Sequence, residues 1–463
     1  MELPSPPPNI QKHFPPTTLS VHQFLTINLP PCATITTQLM RTQKYYSNLL
    51  PTSDNVTVDE IISLLSPPDD ILANLRHSVL QTRTQSDVIK SIQCPHSMTA
   101  GGQRYPLWLV SFWVQLSSVR QIQKNWKTAV QNLETQMARN QDDLLLLKAF
   151  NSLAYVPWTG YLEGFQVHST IKLDQLSVYF TRDWLTDDHI LVMLDTLKED
   201  LVTTGGDNYF IENTAFMTLL SGAYHNKDKY QTEHLYGWMR KRGEDLAGGQ
   251  KRYLATVANR DNVHWVALVV DFVTQELLYG DSFGHPISES MLAVINWWTH
   301  YHTNSCFTVS TLPISRQQDG FSCGMLAWDA LRHHLGHGAH VLMDPRQPFH
   351  DRMEMFLRLT LPHHKDSNVK DLGEDLDAKT KEVTDIDNMA TNDLDNMSNE
   401  DSGSKSVLTH QDMSPPHSVK VKSLKRSSSN EIGTSSTSTT KRSCTKSLSS
   451  IRTALQDDEK NQQ

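Results

Sequence analysis

Cysteine is scarce in this chain. Five residues, Cys32, Cys94, Cys306, Cys323 and Cys444, are scattered over 463 positions. An odd number at such wide spacing makes no disulfide framework and fits free thiols in a reducing, intracellular compartment, nucleus or cytoplasm. Long apolar runs are missing too. The longest, YPLWLVSFWVQL, is far too short to span a bilayer. The opening MELPSPPPNIQKHFPP has no apolar core of the kind a signal peptide needs, so no membrane partner is expected. Excess positive charge is absent. The 42 Lys and Arg against 51 Asp and Glu give a formal net charge of −9, which argues against whole-surface nucleic-acid binding. Complete metal-ligand sets are absent as well. Cys94 and His96, in CPH, lack the second pair a structural zinc site requires, so no metal and no cofactor are expected. The glycine pairs of TTGGDN and LAGGQK lack the strand–loop–helix setting of a phosphate loop and read as turns. A hydrophobic content of 38% and a mean hydropathy of −0.44 imply that part of the chain cannot build a core.

What is present falls into four stretches. Residues 1–45 are rich in proline and threonine and read as a flexible lead-in. Residues 46–157 have helical periods. TVDEIISLLS sets Glu60 three residues after Thr57, a capping-box spacing. PPDDILANLRHSVLQTRTQ puts Ile71, Leu72, Leu75, Val79 and Leu80 on one stripe. PLWLVSFWVQLSSVRQIQKNWKTAVQNLETQMA carries Trp108, Phe112, Val119, Ile122, Trp126 and Val130 at helical steps. Basic and aromatic residues alternate in SSVRQIQKNWKTAV, but a bundle helix with one solvated side accounts for them, and no clear nucleic-acid site follows. This region reads as all-α.

Residues 158–362 change character. DWLTDDHILVMLDTLKEDL, NTAFMTLLSGAYH and SESMLAVINWWTHYH are helical. YLATVAN, HWVALVVDFVTQELLYGDS and CFTVSTLPIS are short continuous apolar runs, the mark of strands buried on both faces. The mixture predicts an α+β or α/β domain of roughly 200 residues. Residues 363–463 are acidic, then Ser/Thr-rich and basic, and are expected to be a disordered tail. Its Lys425-Arg426 and Lys441-Arg442 pairs match a nuclear-import address, although short basic runs also arise by chance.

One constellation carries chemistry. Cys323, in RQQDGFSCGMLAWDAL, stands where a helical period begins, and unpaired N–H groups at a helix start favour a thiolate. His264 lies at the mouth of an apolar strand in DNVHWVALVVDF. Asp281, seventeen residues on, ends the next apolar run. Antiparallel strands joined near DFVTQ bring the two to one edge of a sheet, where a carboxylate fixes the imidazole tautomer. Gln317, six residues before Cys323, is placed to donate to an oxyanion alongside the Cys323 N–H. Gly320 and Gly324 leave room for a substrate carbonyl. Singly, each has an ordinary explanation: a buried structural thiol, an edge histidine, a turn aspartate. Together the order is specific.

The order HW, then DS, then QQDGFSCG resembles the Ulp/SENP family of cysteine proteases, which release SUMO and related ubiquitin-like modifiers. The resemblance covers roughly residues 170–360. It implies a papain-like fold with a central mixed sheet flanked by helices, and a ubiquitin-like modifier and its conjugates as partners. It assigns His264 as base, Asp281 as its orienter, Gln317 as oxyanion donor and Cys323 as nucleophile. It also assigns Trp184 and Asp187, in WLTDDHI, and Trp265 to substrate binding, with the two indoles clamping a Gly-Gly tail. Ser322, where these proteases usually carry Asp, and Thr186, where they carry Asn, depart from the pattern and leave the modifier open. A protease of another ubiquitin-like modifier, or a non-catalytic modifier-binding scaffold on the same fold, are the alternatives.

Overall fold

The computed structural model of the chain describes residues 3–33, 42–52, 56–82, 89–95, 103–164, 171–203 and 208–364. Its first departure from expectation comes at once, because residues 3–33 are folded. Ser20 and Gln23 exchange side-chain and backbone hydrogen bonds in a capping box that opens the short helix Val21–Leu25. Phe24 is fully buried and stacks on Trp158 with ring centroids 4.0 Å apart. The Trp158 indole donates to the Pro16 carbonyl at 2.9 Å. The prolines hide any period here, yet Ile10, Val21 and Phe24 are 1% exposed or less. Each such side chain contributes about 1.5–3 kcal/mol by leaving water, enough to order a lead-in expected to be flexible.

The helical region follows largely as its periods predict. Thr57 caps the helix Val58–Ser63 by accepting from the Glu60 N–H. Glu60 does not return the bond; its carboxylate takes the Tyr105 hydroxyl and the Gln103 amide. The helix Asp69–Thr82 buries Leu72, Leu75 and Val79. The helix Trp108–Arg139 runs for 32 residues and buries Phe112, Val119 and Trp126. A small antiparallel sheet sits among these helices: β1 (Tyr46–Ser47), β2 (Ser91–Gln93) and β3 (Arg104–Tyr105). Strands of two or three residues are too short to show an alternation.

The apolar runs of the second half form a five-stranded mixed sheet in the order β4 (Tyr209–Ile211), β5 (Tyr253–Arg260), β6 (His264–Asp271), β7 (Glu276–Gly280), β8 (Thr308–Thr311). The outer pairs are parallel and the two inner pairs antiparallel. Every residue of β6 is buried, which explains its continuous apolar sequence. Trp265, Ala267 and Val269 face one core, shared with the helix Cys323–Leu335. Val266, Leu268 and Val270 face a second core, shared with the helix Glu289–Thr303. The protein domain is thus α+β, with helices on both faces of a mixed sheet.

The expected boundary at 157/158 does not interrupt the packing. One hydrophobic cluster includes Val21, Phe24, Trp126 and Trp158 together with Trp265, Trp328 and Phe356. Beyond His364 the expected tail, with its basic pairs, lies outside the described residues, as do His96 and the Gly205–Gly206 pair. Among the described residues no helix is long and apolar enough to cross a membrane.

Candidate active site

Two turns bring the histidine and the aspartate together. Between β5 and β6, Asp261 and Asn262 take positive φ of 56° and 59°, a conformation that Asp and Asn tolerate better than most residues. The chain reverses there and places His264 opposite Arg260. Between β6 and β7, the Asp271 carboxylate accepts from the Val273 and Thr274 N–H groups and Gln275 takes φ 56°. With Ala267 paired to Gly280, Asp281 leaves β7 beside the start of β6. His264 Nε2 and Asp281 Oδ1 are 3.0 Å apart.

Asp281 is 4% exposed and densely bonded. The Phe283 N–H donates to Oδ1 at 2.8 Å, while the Tyr279 hydroxyl and Arg260 Nη1 donate to Oδ2 at 3.2 and 3.3 Å. Burial pushes this carboxyl up, but the bonds, led by that from His264, outweigh it and hold the pKa down to about 2. His264 is 8% exposed. Burial disfavours its charged form, yet hydrogen bonds to Asp281 and to Cys323 prevail and lift its pKa to about 9. With Nε2 committed to Asp281, Nδ1 is the nitrogen left for the thiol. The Phe283 ring stacks on the imidazole, with centroids 4.9 Å apart and planes 22° from parallel.

Cys323 is the first residue of its helix, 4% exposed. A residue that sequence reasoning passed over builds the turn before it. Asp319 Oδ1 accepts from the N–H groups of Phe321 and Ser322, both at 2.8 Å, and Oδ2 accepts from the Ser322 hydroxyl at 2.6 Å. Burial opposes the charge on Asp319, but these donors keep its carboxyl below the ordinary range. The signal was an Asp three residues ahead of a Ser, a local side-chain-to-backbone turn. Gln317 belongs to the same knot. Its Oε1 accepts from the Ser282 hydroxyl at 2.8 Å, and its Nε2 donates to the Asp319 carbonyl at 2.9 Å.

The two indoles differ in setting. Trp184 is 50% exposed and donates from Nε1 to the Gly320 carbonyl at 2.5 Å. Trp265 is 4% exposed and donates to the Leu185 carbonyl at 3.0 Å. A Cβ on Gly324 would come within 2.8 Å of Ile190 Cδ1 and 3.2 Å of Trp265 Cδ1, so that glycine makes room for the core rather than for a substrate. Asp187 opens the helix Asp187–Thr203 and shares a hydrogen bond with Thr214. The preceding turn is locked by His189, which is 1% exposed. Its Nδ1 accepts from the Thr186 N–H, and its Nε2 donates to the Gln175 carbonyl at 3.0 Å. Among the described residues no three His, Cys, Asp or Glu are grouped to hold a metal ion.

A buried Cys–His–Asp chain at a helix start is an arrangement for nucleophilic attack by a thiolate. One family model points the same way. Residues 183–344 match the model of the Ulp1 protease family, C-terminal catalytic domain. No curated protein matches the chain. Among solved structures, SUMO protease Ulp1 with its catalytic cysteine oxidised to a sulfonic acid is 16% identical. That match covers 47% of this chain and 95% of its own, with a TM-score of 0.38. The C-terminal Ulp1 protease domain in complex with Smt3, the yeast ortholog of SUMO, gives 16%, 47%, 95% and 0.37. The Xanthomonas campestris effector XopD bound to ubiquitin gives 21%, 37%, 90% and 0.28. Over residues 183–344 this chain is similar to the C-terminal catalytic domain of the Ulp1 protease family, and its chemistry is that of a cysteine peptidase.

Proposed function

We propose that the chain is a thiol isopeptidase that cleaves after the C-terminal glycine of SUMO or a related ubiquitin-like modifier, with Cys323 as nucleophile, His264 as base and Asp281 as its orienter. The observation that supports this most is the bonding of His264, tied by Nε2 to Asp281 and hydrogen-bonded to Cys323. In the proposed reaction His264 takes the thiol proton, and the sulfur attacks the glycine carbonyl carbon. The tetrahedral oxyanion is met by the Cys323 N–H and by Gln317, whose amide exchanges an Asp319 contact for the oxyanion. Collapse expels the target amine with the proton from His264 and leaves a thioester. Water, deprotonated by His264, then releases the free carboxylate and restores the thiol.

Trp184 suits the tail-binding role because it presents an accessible indole three residues from the nucleophile in the turn it touches, at Gly320. Trp265 acts in this reading from below, by supporting Leu185 and packing on Gly324. Asp187 is assigned to the same substrate-binding turn. The test is covalent labelling with C-terminal electrophilic probes of SUMO, a Nedd-type modifier and ubiquitin, beside Cys323→Ala. An adduct with the SUMO probe that is lost in the variant supports the reading. An adduct with only another probe reassigns the modifier. No adduct from a folded sample refutes turnover of these modifiers and leaves the binding role.

A further inference from the structure

The helix Pro348–Thr360, beyond the matched segment, carries a side chain that the proposed reaction does not use. Arg352 is 0% exposed. A buried guanidinium ordinarily faces a carboxylate, because an unpaired charge away from water is costly. This one donates to four backbone carbonyls instead. Nη1 reaches Val178 at 3.0 Å and Thr181 at 2.8 Å, and Nη2 reaches Asp183 at 2.7 Å and Phe321 at 3.2 Å. The guanidinium carbon lies 4.9 Å from the centroid of the Phe321 ring.

Those four acceptors come from two places. Val178, Thr181 and Asp183 make the turn that ends at Trp184. Phe321 stands two residues before Cys323. Phe321 is therefore held at both ends, its N–H by Asp319 and its carbonyl by Arg352. Trp184 returns across the same gap to the Gly320 carbonyl. A stabilising contact alone is met as well by an apolar side chain of equal volume. A planar fork that satisfies divergent carbonyls is something only arginine provides, since lysine offers a single point donor.

We propose that Arg352 is a positioning residue for the cysteine-peptidase reaction: its fork holds the 178–183 turn against the nucleophile loop and so fixes the span between Trp184 and Cys323. The proposal rests on the reading of Cys323 as the nucleophile. It goes beyond that reading by placing a determinant of substrate alignment on a helix outside the matched segment. The charge also lies close enough for Asp319, Asp183 and Cys323 to favour it electrostatically, although burial lowers its pKa to about 10.

The test uses the full chain with Arg352→Lys, which keeps the charge, and Arg352→Met, which keeps only the stem. Three readouts are compared on samples shown to be folded by thermal melting. They are amide hydrogen exchange across 178–184 and 319–323, labelling of Cys323 by the electrophilic SUMO probe, and alkylation of Cys323 by iodoacetamide. In Arg352→Lys, exchange is expected to rise in both segments together. Probe labelling should slow by about tenfold or more, while alkylation by the small reagent changes less than about twofold. Should Arg352→Met fail to fold, the lysine variant carries the comparison. Wild-type labelling rates in Arg352→Lys, exchange that rises in one segment only, or a parallel loss of both reactions would each overturn the clamp. If the wild-type protein itself takes no probe, the functional reading fails, and the exchange measurement still decides whether Arg352 couples the two segments.

Discussion

Replacing Asp281 by asparagine tests the centre of the site. His264 titrates at about 9 in place of 6.5. At 1.36 kcal/mol per pKa unit, that difference favours the protonated ring by roughly 3 kcal/mol. Asp281 and Cys323 supply it jointly against burial, so removing the Asp281 charge lowers the pKa of His264. Because the folded pKa is raised, the stabilisation is complete below pH 6.5 and is lost as pH rises through 9. Histidine-selective NMR should therefore show His264 titrating clearly lower in Asp281→Asn than in the wild type. Urea unfolding should show the wild-type advantage larger at pH 6 than at pH 10, by on the order of 1–3 kcal/mol. The peptidase rate should fall as well, because the amide can hold the wrong tautomer. An unchanged His264 midpoint in a folded variant would refute the reasoning, whatever the loss of activity.

Burial lowers the pKa of His189 to about 4, so the unfolded chain takes up a proton that the folded chain refuses. Stability should fall between pH 6.5 and 4 by up to roughly 3 kcal/mol, and that slope should vanish from unfolding curves of His189→Gln. Gly324→Ala drives a methyl against Ile190 and Trp265; chemical unfolding should show a loss of about 1–3 kcal/mol, with reduced kcat/KM in the molecules that remain folded. Phe24→Ala should destabilise the peptidase domain itself by about 3–5 kcal/mol, measured by urea unfolding followed through the tryptophans; an unaffected midpoint would return the lead-in to the status of an ornament.

The parts of the site that were legible in the sequence are those whose geometry is set by neighbours in the chain. His264 and Asp281 flank one hairpin, and the two apolar runs with the short turn between them fix which edge they share. Cys323 follows a local turn and opens a helix, which the spacing of apolar residues discloses. Arg352 was not legible. Its partners are carbonyl groups, which leave no trace in residue identity, and its location depends on helix packing far along the chain. The burial of Trp265 was hidden for a related reason. The resemblance assigns it to an open clamp on the substrate tail, yet all of β6 lies inside. The lead-in failed on composition, since a few apolar anchors outweigh many prolines once a partner surface is present.

The shared aromatic core also dictates an order of events during synthesis. Trp126 packs against Phe180, and Phe180 against Phe356, while the carboxylate of Asp143 meets His350 on the helix that carries Phe356. The long helix therefore leaves the ribosome well before the surface that covers it. At about 5–20 residues per second, the 176 positions between Phe180 and Phe356 take roughly 9–35 s to appear. For that interval the nascent chain carries an uncovered aromatic stripe, a surface on which a holdase can act. The helix Pro348–Thr360 closes this hydrophobic seam, and with Arg352 it brings the proposed clamp to the nucleophile loop, so that the thiol is set in place only after this helix has emerged.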